Sequence, residues 1–213
     1  MVKHVITALV VAGFISAISA HATANITSIS NRPTTGGIAW DKFDATTPQT
    51  VGGLDTPEAW VVFNCNQSSG IGSLRFDITT DSADDPVLTL HNTIDNDSGF
   101  VWTEYIVTVT MNKAFTFTNT PTVFSPAGWS VGITAPYGPD GFGNWTGILD
   151  LTAGTPVGLG ETLDFQYQVA FSGSTSYSIT ESVQVVPEPA TGTLLGIGSL
   201  VLGGLAWARR RRE

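Results

Sequence analysis

The sequence predicts an all-β domain, an antiparallel β-sandwich similar to a jelly roll, between two terminal segments of a different kind. Three observations predict this fold. Apolar and polar residues alternate with a period of two in several windows, which is the pattern of half-buried strands. Clusters of turn-forming residues separate these windows at short intervals. No window outside the terminal segments has helical periodicity, and about nine or ten short strands with frequent turns are typical of β-sandwiches.

Four windows alternate clearly and predict strands with one buried face. The longest covers residues 163–171, where every second residue is apolar and the intervening residues include Asp164, Gln166 and Gln168. On the last predicted strand, Glu181 interrupts the row of apolar residues that forms one face. The residues expected to face the core are Leu74, Phe76, Ile78, Phe115, Phe117, Leu163, Phe165, Tyr167, Val169, Phe171, Tyr177, Ile179, Val183 and Val185.

Two further windows, residues 59–64 and 100–111, are apolar at nearly every position. This pattern predicts central strands that are covered on both faces, and it places Trp60 and Trp102 in the core. Weaker strands are expected near 36–42, 86–91, 128–134 and 145–152, and turns at 66–70, 95–99, 138–141 and 172–174.

The charge of the central domain excludes two classes of partner. The chain has 213 residues, and between Asn25 and Pro189 it carries four basic and seventeen acidic residues, a net charge of −13. Such a surface repels nucleic acid and anionic lipid, so neither is expected to bind it. Cys65 is the single cysteine, so no internal disulfide forms. It follows an apolar run and is expected to be buried.

The first 24 residues have the parts of a secretory signal peptide. Lys3 supplies the positive start, residues 5–18 form the apolar segment, and Ala22 and Ala24 form a cleavage site before Asn25. Cleavage after Ala22 and an uncleaved membrane anchor are the alternatives. The sequence therefore predicts export through the general secretion machinery and processing by signal peptidase.

The last 28 residues predict a membrane segment with a defined orientation. Pro187, Glu188 and Pro189 form a stiff, extended tripeptide. Residues 190–208 carry no charge and, as a helix, would nearly span a bilayer. Arg209, Arg210, Arg211 and Arg212 follow. Since clustered arginines hold a span's end in the cytoplasm, the folded domain is expected on the opposite side.

These three parts, in this order and at the end of the chain, resemble the PEP-CTERM sorting signal. The resemblance implies an exported bacterial protein whose Pro-Glu-Pro is recognised by an exosortase, which removes the tail. It implies an inner-membrane intermediate with a periplasmic domain of residues 25–185, followed by release to the cell surface or extracellular matrix. It also implies an association with extracellular polysaccharide. The tail covers residues 186–213 only, and the domain before it is only loosely similar to others that carry this signal.

Motifs for catalysis and metal binding are incomplete. Residues 128–132 match G-x-S-x-G around Ser130, but no helix follows and His91, the one histidine beyond residue 24, comes earlier in the chain. Asp95 and Asp97 resemble the start of a calcium loop that lacks its remaining ligands. We therefore expect no catalytic residues, no cofactor and no metal site, with Asp95 and Asp97 as the one calcium alternative.

Three hypotheses for the central domain follow. The favoured one is a non-enzymatic surface or matrix protein. The second is a carbohydrate-binding module with the same trafficking, in which Trp145 and Trp129 would stack on sugar rings. The third is a glycoside hydrolase, which needs two carboxylates facing each other across a cleft.

Overall fold

The computed structural model describes residues 25–46, 50–51, 54–55, 59–84 and 86–188, and every regular element in these ranges is a β-strand. The predicted signal peptide and the predicted span at 190–208 lie outside them. The strands are β1 (Ile26–Asn31), β2 (Thr35–Thr46), β3 (Thr50–Val51), β4 (Leu54–Asp55), β5 (Ala59–Thr80), β6 (Val87–Asn96), β7 (Trp102–Met111), β8 (Phe115–Phe117), β9 (Thr122–Ser125), β10 (Ser130–Tyr137), β11 (Trp145–Val157), β12 (Thr162–Phe171) and β13 (Ser176–Pro187).

The strands form one large mixed sheet, with β3 and β4 as a separate two-stranded pair. The order along the main path is β10-β11-β7-β13-β5-β6-β12-β8, while β1 and β2 pair with β5, and β9 pairs with β12. The all-β prediction is confirmed. The purely antiparallel prediction was wrong, because β5 and β6 run parallel from the pair Ala59–Leu88 to the pair Gln67–Asn96.

The parallel pair requires β5 to bend. A straight strand of its 22 residues would extend about 70 Å, whereas the connection of residues 81–86 to β6 reaches roughly 25 Å at most. Because β6 nevertheless starts beside the beginning of β5, the two halves of β5 must turn back over one another. Its first half pairs with β6 and its second half with β13, so β5 links two arms of the sheet.

The bend lies at residues 68–71. Between the pairs Gly36–Gly72 and Ile38–Gln67, β5 has more residues than β2, so this segment bulges out of the ladder. A turn was predicted at 66–70. The chain does bend there, but the turn does not separate two strands as predicted. Residues on both sides of the bulge belong to the same strand and pair with β2.

The core fills the space between the two arms. The ring of Tyr105 on β7 lies 6.0 Å from that of Phe165 on β12, and Phe171 on β12 lies 4.5 Å from Tyr177 on β13. The two ends of the path, β8 and β10, lie against each other, and β9, which pairs with β12, also contacts β10, so the sheet is nearly closed on itself. This arrangement buries one face of β5, β6, β7, β12 and β13.

The alternation of apolar residues predicted most core positions. Every second residue of β12 from Leu163 to Phe171 is buried, as are Trp102 and Cys65. Trp60 is 37% exposed, and its predicted core position was wrong, since it is out of phase with the buried Ala59 and Val61. The prediction that residues 100–111 are covered on both faces was also wrong, because the outward side chains of β7 are only half-buried.

Candidate functional site

The Pro-Glu-Pro segment begins where β13 ends. β13 lies between β5 and β7, and Pro187 stands opposite Trp102 at its last position. The N–H of Glu188 donates to the carbonyl of Val101 at 2.9 Å. Pro187 and Glu188 are both exposed. Pro189 lies outside the described residues. The first two motif residues are thus on the surface, while the sheet's hydrogen bonding still holds them.

The outward face of β5, β13 and β7 is rich in hydroxyl groups, and the register aligns them in rows. In one row Ser182 of β13 stands between Ser73 of β5 and Thr108 of β7. In the next row Thr180 stands between Arg75 and Thr110. Paired strands lie about 4.8 Å apart, so each row presents closely spaced polar groups. Period-two alternation places all of these side chains away from the core.

Three surface hollows join across this face and share lining residues. The first, of about 570 Å³, is lined by Arg32, Pro33, Thr35, Ser73, Arg75 and Thr180. The second, of about 390 Å³, shares Thr35 and Ser73 and continues to Thr108, Ser182 and Gln184. The third, of about 350 Å³, shares Arg75 and Thr180 and continues to Thr110, Asn112, Asn144 and Ser178. We call the three together the hydroxyl groove.

Two arginines give the hydroxyl groove a local positive charge. Arg32 forms an ion pair with Asp77, with its Nε 2.6 Å from Oδ2. Arg75 donates from Nε to the hydroxyl of Ser178 at 3.1 Å and lies 3.9 Å from Oδ1 of Asp77. Two guanidinium groups therefore share one carboxylate, which leaves one net positive charge in a domain whose overall charge is strongly negative.

An ordered loop with exposed aromatic residues borders the groove. Oδ1 of Asp140 accepts hydrogen bonds from the backbone N–H groups of Asn144 and Phe142, both at 2.8 Å. These bonds lower the pKa of Asp140 and fix the loop between β10 and β11. Phe142 is 92% exposed and Tyr137 58% exposed. Since Asn144 also lines the third hollow, this loop stands at one end of the groove.

The two tryptophans proposed for sugar stacking are not the exposed aromatic residues of this region. Trp145 and Trp129 are partly buried and pack against the core. The indole N–H of Trp129 donates to the carbonyl of Thr155 at 2.6 Å. Phe142 and Tyr137 were not predicted from the sequence as exposed aromatic residues. Phe142 is flanked by Gly141 and Gly143, and a bulky apolar residue between two loop glycines was the signal that could have indicated an exposed ring.

The calcium alternative involves a loop that hydrogen bonds already organise. Asp95 accepts a hydrogen bond from the hydroxyl of Thr162 at 2.5 Å. The side chain of Asn96 between them is buried and donates to the carbonyls of Phe100, Val157 and Gly158. Asp97 is exposed. Within the described parts of the chain, no group of three or more histidine, cysteine or acidic side chains is placed to hold a metal ion.

Ser130 and His91, the residues that could act in hydrolysis, each form a hydrogen bond with a different residue. Ser130, at the start of edge strand β10, shares a hydrogen bond of 2.8 Å with Thr152. His91 lies on the other arm, where its Nε2 is 2.5 Å from Oδ1 of Asp164. Each of the two residues thus has another hydrogen-bond partner, and within the described residues no hydrogen bond joins the G-x-S-x-G serine to the histidine.

One pair of carboxylates lies on the outward face of β7 and β11. Glu104 is a diagonal neighbour of Asp150, because Asp150 pairs with Ile106. Burial and then the charge of Asp150 raise the pKa of Glu104. One oxygen of Asp150 is buried without a hydrogen-bond partner in the described part of the chain. The two residues stand side by side on one sheet face rather than on opposite walls of a cleft.

A polar group also lies inside the core. Glu181 is fully buried, and one of its oxygens accepts a hydrogen bond from the hydroxyl of Tyr167 at 2.8 Å. Its other oxygen has no partner among the described residues. Burial raises the pKa of Glu181 to about 7, against the opposing effect of the Tyr167 hydrogen bond. Burial also raises the pKa of the nearby Cys65 thiol, so this thiol is not a reactive thiolate.

Comparison with known proteins identifies the end of the chain. Residues 185–212 match the family model of the PEP-CTERM protein-sorting motif. No curated protein and no solved structure matches the chain. Proteins with this motif are exported and sorted to the cell surface, and the motif implies processing by an exosortase. No helix among the described residues is long and apolar enough to cross a membrane.

Proposed function

We propose that the protein is a non-enzymatic component of the bacterial cell surface or extracellular matrix, processed by an exosortase and associated with extracellular polysaccharide. The observation that carries this proposal is the sorting motif at residues 185–212. The exposed position of Pro187 and Glu188 at the end of the last strand supports it, because an enzyme can approach them there.

The trafficking has three steps. Signal peptidase removes residues 1–24 during export. The predicted span at 190–208 and Arg209, Arg210, Arg211 and Arg212 then hold the protein in the inner membrane, with its folded domain in the periplasm. An exosortase finally removes the tail at the Pro-Glu-Pro segment, and the domain passes to the surface or matrix.

The absence of enzymatic activity is supported by how the candidate groups are engaged. Ser130 is bonded to Thr152, and His91 is bonded to Asp164 on a different arm. A glycoside hydrolase remains the less favoured alternative, with Glu104 and Asp150 as its two carboxylates. Such an enzyme needs its carboxyl groups at least about 5 Å apart, with the sugar between them. The shared sheet face of Glu104 and Asp150 does not favour that geometry.

The second candidate function, carbohydrate binding, is favoured by the hydroxyl groove. The groove presents hydroxyl, amide and guanidinium groups, which form hydrogen bonds to sugar hydroxyls. Phe142 has an exposed ring and belongs to the loop that reaches one end of the groove through Asn144, and Tyr137 is exposed at the end of β10. This function is compatible with the first, because a matrix protein that binds polysaccharide is held there by its ligand.

The experiment that tests the sorting is peptide mass mapping of the C-terminus of the protein recovered from the cell surface or medium. We expect an end between Pro187 and residue 190, and loss of this product when the exosortase gene is deleted. Recovery of a surface form that retains residues 190–213 would contradict processing and leave a membrane-tethered periplasmic domain.

A further inference from the structure

We propose that the hydroxyl groove binds an acidic polysaccharide, with Arg75 holding a sugar carboxylate at the centre of the groove. This inference rests on the proposed function, since it names the polymer class that the exported domain would meet. It also depends on separate observations, namely the arginines, the hydroxyl rows and the aromatic loop.

The distribution of basic residues indicates a negatively charged ligand. Residues 25–189 contain only four basic side chains, namely Arg32, Lys42, Arg75 and Lys113. Two of them, Arg32 and Arg75, line the same hollow, although they are far apart in sequence. In a domain with a net charge of −13, this is where an anionic group meets an excess of positive charge. A neutral sugar would not need the second guanidinium group.

Arg75 is placed to bind that group. Its Nε donates to Ser178, and the contact with Asp77 is long, at 3.9 Å. Asp77 is engaged more closely by Arg32. Within the described part of the chain, the terminal N–H groups of Arg75 form no side-chain hydrogen bond, so they can bind a ligand. Guanidinium binds carboxylate through two parallel hydrogen bonds. Arg32 and Asp77 hold the rim of the hollow in position.

The rest of the groove fits the neutral part of such a polymer. Hydroxyl groups of Thr180 and Thr110 stand beside Arg75 in one row, and Ser73, Ser182 and Thr108 form the adjacent row. A chain of sugar units that lies along the groove can replace its hydrogen bonds to water with hydrogen bonds to these hydroxyl groups. At the end of the groove, the exposed ring of Phe142 offers an apolar face to a sugar ring.

The test is binding of the processed protein, isolated from cells that make the full chain, to three probes. Polygalacturonate supplies the uronic acid carboxylate, and its methyl ester supplies the same sugar backbone without the charge. Vesicles of phosphatidylglycerol supply an anionic lipid surface. We expect binding to polygalacturonate that weakens as salt is added, and weaker binding to the ester. Equal binding to the acid and the ester, or binding to vesicles alone, would overturn the proposal.

Two variants with the same change in charge localise the site. Arg75→Gln should weaken binding to polygalacturonate by on the order of tenfold, since it removes a charge-assisted pair of hydrogen bonds. Lys42→Gln is the control, because Lys42 is similarly exposed but does not line the groove. Equal effects of both variants would mean that only net charge acts, and the site assignment would fail. Thermal unfolding of both variants verifies that the fold is intact.

Failure of this inference is distinguishable from failure of the proposed function. A processed protein that binds no polygalacturonate would overturn the groove assignment and leave the sorting in place. A protein that keeps its tail and still binds through Arg75 would overturn the sorting and leave the groove.

Discussion

Glu181 is a residue whose environment conflicts with its charge. It interrupts an apolar row on β13 and is fully buried, and among the described residues only one of its oxygens has a hydrogen-bond partner. Its pKa is about 7 in the folded chain, against 4.5 as the reference value. The folded state therefore holds the proton more tightly than the unfolded chain. The stability that results is complete below pH 4.5 and is lost as the pH rises through about 7.

We predict that the free energy of unfolding falls between pH 5 and pH 8 by an amount on the order of 2–3 kcal/mol. Glu181→Gln should remove most of this fall, because the amide stays neutral and its oxygen still accepts the Tyr167 hydrogen bond. Urea unfolding at both pH values measures it. Glu104→Gln is the control, since the pKa of Glu104 is also raised but this residue is only half-buried, on the outward face of β7. An unchanged fall in Glu181→Gln would contradict the assignment.

The sequence predicted which residues face the core but not the character of every buried position. Period-two alternation correctly placed Leu163, Phe165 and Tyr167 on one face. It also indicated that Glu181 shares the core-facing side of β13. It could not indicate that the hydroxyl of Tyr167 would meet the Glu181 carboxylate, because β12 and β13 contribute to different arms and their contact depends on how the sheet curls.

At the scale of elements, the bend in β5 depends on a close approach to β2. A Cβ atom on Gly72 would lie 2.5 Å from Cγ2 of Ile38, a buried side chain. Gly70 lies in the same bend, but a Cβ atom there would meet its nearest neighbour, Phe100, at 3.7 Å. A side chain at position 72 would therefore clash with β2, whereas position 70, two residues away, has room for a methyl group.

We predict that Gly72→Ala destabilises the fold by about 1–3 kcal/mol, because the added methyl group forces Ile38 out of its packed position. Gly70→Ala, the matched control, should change stability by less than about 0.5 kcal/mol. Chemical denaturation of both variants checks this. If both variants lose the same stability, the bend requires glycine backbone freedom at each site rather than close packing at Gly72.

The sequence predicted most strands but not how they are arranged. The parallel pairing of β5 with β6 could not be predicted, because it depends on a bend within a segment whose Ser-Ser-Gly sequence is typical of a turn between separate strands. The hydroxyl groove could not be predicted for a related reason. Arg75, Thr110 and Thr180 are far apart in sequence, and only the strand order β7-β13-β5 brings them together.

The last strand connects the fold to its processing. Val186 accepts a hydrogen bond at its carbonyl from the hydroxyl of Thr103, and Glu188 donates to Val101. An enzyme that binds the Pro-Glu-Pro segment in extended form competes with these bonds. We predict that inserting Gly-Ser-Gly between Val186 and Pro187 increases the rate of tail removal, because it separates the motif from the sheet. Pulse-labelling and the ratio of precursor to processed protein measure the rate.

The control for this insertion is the thermal unfolding of the processed variant. It should match that of the processed wild-type protein, because the buried residues of β13 all precede the insertion. An unchanged processing rate with an intact fold would mean that the enzyme binds the Pro-Glu-Pro segment without breaking its hydrogen bonds to the sheet.

At the scale of the whole molecule, the fold and the tail are separable. The last buried side chain of the described chain is Val185, and the cores of both arms are complete before Pro187. We therefore predict that the processed protein unfolds at the same temperature as the detergent-solubilised precursor, measured by resistance of the domain to a protease on heating.

A chain that ends at Ser182 is the contrasting case. It lacks Val183 and Val185, together with their pairing to Val107 and Tyr105 on β7. This chain should lose its resistance at a markedly lower temperature, because removing buried side chains from a central strand costs several kcal/mol. A large drop for the processed protein itself would mean that the tail contributes to the fold, and removal by an exosortase would then release an unstable domain.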